Sequence, residues 1–214
     1  MCVWCDDVTR VSDSAVATPT RNVTGQDGGV ADESLKGKLL VATPALREPT
    51  FGQTVIVLLE HGVDGAVGVV VNRATGAEIA DVLPSVADLV TPPAVVFDGG
   101  PVSRTTAIAL GNTAPGAGGE GVSPVNPPLV TVDLDRDPAL LAASLRTLRV
   151  FAGYAGWSAG QLEGEIAEGS WYVLDALPGD PFTADPSLLR AAVLRRQGWP
   201  LAAAAHSPFD PALN

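Results

Sequence analysis

The serine at position 158 offers the sharpest chemical pattern in the sequence. Gly156-Trp157-Ser158-Ala159-Gly160 has the G-x-S-x-G spacing of a nucleophile elbow, where a strand-to-helix turn exposes a serine hydroxyl. Asp175, Asp180 and Asp185 follow, and then His206, in the Ser–Asp–His order of α/β-hydrolases. Three observations oppose that reading. Only 56 residues follow Ser158, too few for the rest of such a fold. No H-G-G-G-type oxyanion loop is present. Ser158 and Gln161 also form S-x-x-Q, a capping box that turns the serine toward its own helix.

A second grouping is Glu60-His61 at the end of one apolar run and Asn72-Arg73 at the end of the next. If the two runs form a hairpin, these four side chains are expected on one rim. A carboxylate beside an imidazole could move a proton, and an arginine could hold an anion. The structural alternative is loop capping with a surface Glu–Arg pair, which contributes little to stability. Gln161, Glu163 and Glu165 lie on a short helix, where Gln161 and Glu165 share a face at i, i+4. Trp157, Trp171 and Trp199 read as core or rim anchors.

Two further motifs carry less. Cys2 and Cys5 are the only cysteines, so a disulfide framework is excluded, and their C-x-x-C pair has no second pair to complete a metal site. Gly116 to Gly121 matches G-x-G-x-x-G, but Pro124, Pro127 and Pro128 follow where a dinucleotide site needs a helix. No metal ligand set, P-loop or cofactor motif appears, and no cofactor is expected.

The chain that positions these residues has 214 residues and a net charge of −11. That acidity disfavours binding to nucleic acid phosphates and to anionic membranes. Asp6 and Asp7 interrupt the stretch where a signal peptide would begin, and no apolar run approaches the ~20 residues that span a bilayer. A cytoplasmic location is expected. Residues 1–34 hold six acids and two arginines with no apolar period, and read as a disordered acidic extension. Residues 35–214 read as a single domain.

Within that domain, Leu39–Ala42, Thr54–Glu60 and Ala66–Asn72 are apolar runs rich in β-branched residues. The last two flank a five-residue loop, His61–Gly65, and predict a hairpin with both faces covered. Ala94–Asp98, Thr106–Gly111, Leu129–Asp133, Val150–Tyr154 and Trp171–Leu174 predict further strands, and Asn112–Pro128 a flexible loop. Glu78–Leu83 predicts a short helical piece. Asp137-Pro138 predicts a capped helix whose buried stripe is Leu141, Leu145 and Leu148. Ser158 predicts a helix through Glu168, and Asp185-Pro186 another, ended by Gly198. This irregular interleaving predicts an α+β fold with a mixed sheet.

Several segments in order resemble one family: Gly37-Lys38-Leu39-Leu40-Val41-Ala42-Thr43-Pro44, Glu48-Pro49-Thr50-Phe51, Val57-Leu58-Leu59-Glu60-His61, Gly65 to Arg73, Gly99-Gly100-Pro101-Val102, Gly153-Tyr154-Ala155-Gly156-Trp157 and Gly160-Gln161-Leu162-Glu163. Together they resemble the bacterial AlgH-like (YqgE-like) proteins over about residues 35–175. The resemblance implies a bifurcated mixed sheet folded into a pseudo-barrel with flanking helices. It implies no established biochemical activity, only a genetic link of one member to regulation of exopolysaccharide synthesis, and no DNA-binding motif. The chain departs from the family pattern at Arg104–Gly111, where a family histidine is missing, and at Ser158, where glycine is frequent.

The reading that results is a non-enzymatic binding or regulatory protein that takes a small molecule or a protein partner. Its groove is expected to be rimmed by Glu60, His61, Asn72, Arg73, Gly99, Gly100, Trp157, Gln161 and Glu163, all at strand and helix ends or in glycine turns. The alternatives are a hydrolase using Ser158 or Glu60/His61, and an assembly protein without a small-molecule site.

Overall fold

Alternating apolar residues on the first strands bury both of their faces and so set the layers of the molecule. The computed structural model describes residues 34–114 and 120–205. Strand β1 (Lys38–Ala42) sends Leu39 and Val41 to one core and Leu40 and Ala42 to another. Strand β2 (Val55–Gly62) repeats the division, with Val55, Val57 and Leu59 on the first side and Ile56 and Leu58 on the second. Strand β3 (Gly65–Val70) closes the predicted hairpin, with Ile56 opposite Val70 and His61 opposite Ala66. Gly62 pairs with Gly65, so the connection is only Val63-Asp64, shorter than the expected loop. Gly65 makes this possible with φ +127.

The remaining strands are β4 (Ala74–Glu78), β5 (Val95–Asp98), β6 (Val102–Thr113), β7 (Val122–Asn126), β8 (Leu129–Val132), β9 (Leu145–Ser158) and β10 (Trp171–Asp175). The main path through the sheet runs β10-β1-β2-β3-β9-β6-β8-β7. The sheet forks on β9. One edge of that strand pairs with β6 along most of its length. The other edge pairs antiparallel with β3 at Ala155–Ser158 and parallel with β5 at Phe151 and Ala152. The fold is therefore the α+β class with a mixed, bifurcated sheet, curled into a half-barrel.

Glycines occupy the fork. Gly99 donates its N–H to Ala152 O and accepts from Val70 N, both at 2.9 Å, so one residue joins both branches. A Cβ on Gly99 would lie 2.3 Å from Gly153 O, and one on Gly100 (φ +147) 2.3 Å from the Tyr154 carbonyl carbon. No side chain fits that approach.

Three apolar cores follow from the fork. The inner one gathers Phe97, Phe151, Phe182, Leu189 and Val193 beneath helix α4 (Pro186–Arg196). The second lies under α3 (Gln161–Ala167) and includes Trp157, Leu162 and Trp171. The third lies under α1 (Ile79–Val82), a 3-10 turn at Pro84–Leu89, and α2 (Pro138–Ser144). A last short helix, α5 (Leu201–Ala204), packs on the inner core.

The structure corrects four local expectations. Helix α2 ends at Ser144, and Leu145–Leu148 already belong to β9, because eight register pairs with β6 outweigh three leucines at helical spacing. Asn112 and Thr113 extend β6, and Val122–Asn126 forms β7, so the loop is shorter than Asn112–Pro128. Asp137 does cap α2, accepting from Ala139 N at 2.8 Å, but Asp185 makes no such bond at α4. Helix α3 starts at Gln161, not Ser158, after Gly160 in the left-handed conformation.

Two arginines lock the helical layer to the sheet. Arg190 donates to Ala42 O through Nε at 3.2 Å and Nη2 at 3.0 Å, fixing α4 to β1. Arg149, fully buried on β9, donates through Nη1 to Pro181 O (2.9 Å) and Thr183 O (3.0 Å), and through Nη2 to Pro92 O (2.7 Å). Its guanidinium also lies over the Phe97 ring, 4.3 Å from the centroid. Burial pulls its pKa down to about 10, so it is charged at neutral pH. Removing it leaves three carbonyls without their donor. Arg149→Met is therefore expected to lower unfolding free energy by about 3 kcal/mol, with Arg149→Lys recovering part of the loss. Urea denaturation followed by tryptophan fluorescence measures this, and a parent-like Arg149→Met midpoint would contradict it.

Candidate functional site

The expected rim divides into two places, because the two ends of a hairpin strand lie a whole strand apart. Glu60 and His61 flank the turn end of β2, whereas Asn72 follows β3 at its far end, opposite the start of β2. Asn72 Oδ1 accepts from Val55 N at 2.9 Å and its Nδ2 donates to Gln53 O at 3.0 Å. The four residues therefore do not form one site.

At the turn end, most polar side chains pair with one another or with nearby backbone. Glu60 accepts from Lys36 Nζ at 2.6 Å. His61, its side chain almost wholly buried, accepts from Leu35 N at Nδ1 (3.2 Å). Its Nε2 lies 3.0 Å from Glu163 Oε1. Gln161 Oε1 accepts from both Ser158 N and Ser158 Oγ, each at 3.1 Å. With Gly160 as the N-cap of α3, this is a local bond from the end of β9 and not the expected capping box. Ser158 Oγ thus gives its proton to an amide oxygen and not to a base. Among the acids of the supposed triad, Asp175 pairs with Lys38 and Asp180 pairs with both terminal nitrogens of Arg196. His206, Cys2 and Cys5 lie outside the described residues, as does the expected 1–34 extension apart from Ser34 and part of the Gly116–Gly121 motif.

Glu165 is the centre of this cluster. One of its oxygens, Oε2, accepts from Trp157 Nε1 at 2.9 Å and from Trp171 Nε1 at 2.8 Å. The other accepts from Gln161 Nε2 at 3.0 Å. The two indoles meet edge to face, and Phe51 packs on both. Charge-assisted bonds of this kind hold both tryptophans and α3 against the sheet.

The other end of the hairpin opens differently. Arg73 spends its guanidinium on the 49–52 turn, donating to Thr50 O (2.5 Å), Pro49 O (3.1 Å) and Gly52 O (3.2 Å). Beside it runs an open groove of about 530 Å³. Asn72, Arg73, Ala74 and Thr75 line one wall, Pro93 and Asp98 sit within it, and Asp185, Pro186 and Ser187 form the other wall at the start of α4. Asp98 directly precedes Gly99-Gly100 and takes an ion pair from Arg104 at 3.3 Å. The two glycines themselves are not lining residues; they pack against Gly153 and Tyr154. Asp98 and Ser187 were not legible as site residues, and Asp185 was read only as a triad acid or a helix cap; their neighbours in space come from segments nearly 90 residues apart. Among the described residues no group of three or more His, Cys, Asp and Glu is arranged to hold a metal. No described helix is long and apolar enough to cross a membrane.

A family model described as AlgH-like matches residues 39–202. The chain belongs to the AlgH-like family. This AlgH-like chain is 48% identical over 185 residues to a Streptomyces coelicolor protein named as a UPF0301 protein, covering 85% of the chain and 96% of that relative. A Mycobacterium ulcerans UPF0301 protein is 45% identical over 181 residues, covering 83% and 90%. Two solved structures share the fold. A crystal structure of a Corynebacterium diphtheriae protein superposes with a TM-score of 0.76 at 32% identity, covering 80% of this chain and 91% of that one. The solution structure of the AlgH protein from Pseudomonas aeruginosa gives 0.63 at 30% identity, covering 86% and 98%.

In this AlgH-like chain the Trp157–Glu165–Trp171 cluster is part of the packing. Glu165→Ala is expected to cost about 2 kcal/mol, since it leaves two indole N–H groups without an acceptor. It should also weaken the near-ultraviolet tryptophan circular dichroism. A variant with unchanged stability and spectrum would mean that the carboxylate is free for another partner.

Proposed function

We propose that this AlgH-like chain is a non-enzymatic binding protein of regulatory type, acting in the cytoplasm, whose ligand sits in the groove between β4 and the start of α4. One observation carries the reading. The groove brings together Asn72, Thr75, Asp98, Asp185 and Ser187 from three separate segments around about 530 Å³. That size is in the range of ligand sites, and polar groups converge on it.

The other expected residues argue for binding over hydrolysis. Ser158 donates to Gln161, Glu60 to Lys36 is a surface pair, and His61 faces Glu163. None of these leaves a nucleophile beside a base. Asn72 and Arg73 hold the 48–55 segment that flanks the groove, so they shape the site through the backbone. Arg73→Ala would consequently disturb the turn as well as the groove and is a poor probe of binding.

Filling the groove is the cleaner test. Ser187 is exposed at the start of α4, and a tryptophan there occupies the space without entering a core. Native mass spectrometry of the full chain, purified gently from a bacterial host, is expected to show a retained mass. Ser187→Trp should lose it and Ser158→Ala should keep it. A retained mass that survives Ser187→Trp, or a bare mass from the parent, would overturn the assignment.

A further inference from the structure

Strand β4 carries an unused hydrogen-bonding edge into the groove. All five of its residues, Ala74–Glu78, are exposed. It pairs with β5 on one side, and no described strand pairs with the other. Asp98 N donates to Arg73 O at 2.9 Å and Ile79 N to Ala94 O at 3.0 Å, so those flanking residues face β5. Ala74 stands opposite Phe97 and Glu78 opposite Val95, each next to one of those bonds, so Ala74 and Glu78 turn their main-chain N–H and C=O to the free edge, with a register shift between them. A free edge is a template for another extended chain.

The charges beside that edge select its occupant. Glu78 lies on β4 itself, and Asp185 stands across the groove with a carboxylate that caps nothing. Arg73 keeps its charge while bonded to three carbonyls of the 49–52 turn and offsets one of these two carboxylates, and Arg104 is paired with Asp98, so the edge keeps a net negative charge. Residues 35–214 carry a net charge of −7. A second copy of this chain or the acidic 1–34 segment would bring like charge to the edge. A basic segment would not.

Resting on the groove as the binding site, we propose that its occupant is an extended, cationic peptide segment of another protein, added to β4 as a further strand. Main-chain bonds to Ala74 and Glu78 supply affinity, and a Lys or Arg side chain facing Asp185 supplies selection. Thr75 and Ser187 line the space that the peptide's other side chains would enter.

The test uses the full chain and a fluorescein-labelled peptide of alternating lysine and valine, read by anisotropy. Its controls are the glutamate–valine counterpart and the lysine–valine peptide N-methylated at alternate amides. The cationic peptide is expected to bind, and both controls to bind at least about tenfold more weakly. Gly76→Pro removes a main-chain donor and fixes the backbone between the two edge residues, at a position where an added Cβ meets no atom within 4 Å. It should weaken binding about tenfold. Asp185→Lys should reverse the charge preference. Equal binding of all three peptides, or binding indifferent to Gly76→Pro, would overturn the proposal. A dimer of the parent that Gly76→Pro dissolves would replace the peptide with a second copy. If no peptide binds while a retained mass is still lost on Ser187→Trp, the groove stands and only the strand-addition reading fails.

Discussion

One buried guanidinium holds the groove in shape. Arg149 sits on β9, the strand at which the sheet forks, and no part of it reaches solvent. Its three bonds run to Pro92 O on one side and to Pro181 O and Thr183 O on the other. The residues that follow those carbonyls, Pro93 and Asp185 to Ser187, are lining residues of the groove. A single side chain thus sets the separation of segments that share no backbone pairing. Burying a charge costs several kcal/mol unless its donors are matched. Here the terminal nitrogens find backbone carbonyls, which cannot repack to find other partners, the Phe97 face covers the guanidinium plane, and Nε alone is buried without an acceptor among the described residues. The reward for that costly burial is geometric specificity between two walls.

The fork that Arg149 braces also explains the glycine motifs. Gly99 and Gly100 lie against Gly153 and Tyr154 at a backbone approach too close for any Cβ. Their place in the chain is topological: they let β3 and β5 share one edge of β9. The same accounting applies to the Glu165 cluster, where a carboxylate satisfies two indoles and an amide. Once these internal obligations are met, the polar capacity left beside the groove is the β4 edge and the Asp185 carboxylate.

Local chemistry was legible in the sequence where the partner is also local. The β-branched runs of β2 and β3 show the hairpin, and Asp137-Pro138 shows the cap of α2, because those bonds close within a few residues. The α+β class follows from the irregular order of elements, and the forked sheet from the family resemblance. Long-range partners were not legible. Arg149 stands in Leu148-Arg149-Val150-Phe151 as a cation within an apolar run, a pattern that signals burial only once its acceptors, more than 30 residues away, are known. Leu141, Leu145 and Leu148 fit a helix by spacing, yet pairing with β6 takes the last two into a strand. Asn72 and Arg73 were expected on one rim with Glu60 and His61, but their bonds go to the 49–55 segment and not to the turn that Glu60 and His61 flank. Asp185 matched the same capping pattern as Asp137 and does not cap, which leaves its carboxylate facing the groove.

The central claim is that Arg149 couples the two groove walls. Amide hydrogen exchange of the parent and Arg149→Lys chains, followed peptide by peptide under native conditions, tests it most directly. The account predicts that residues 91–98 and 180–188 lose protection together in the variant, while β1 and β2 keep theirs. Uniform loss across the sheet, or loss in one wall alone, would contradict it.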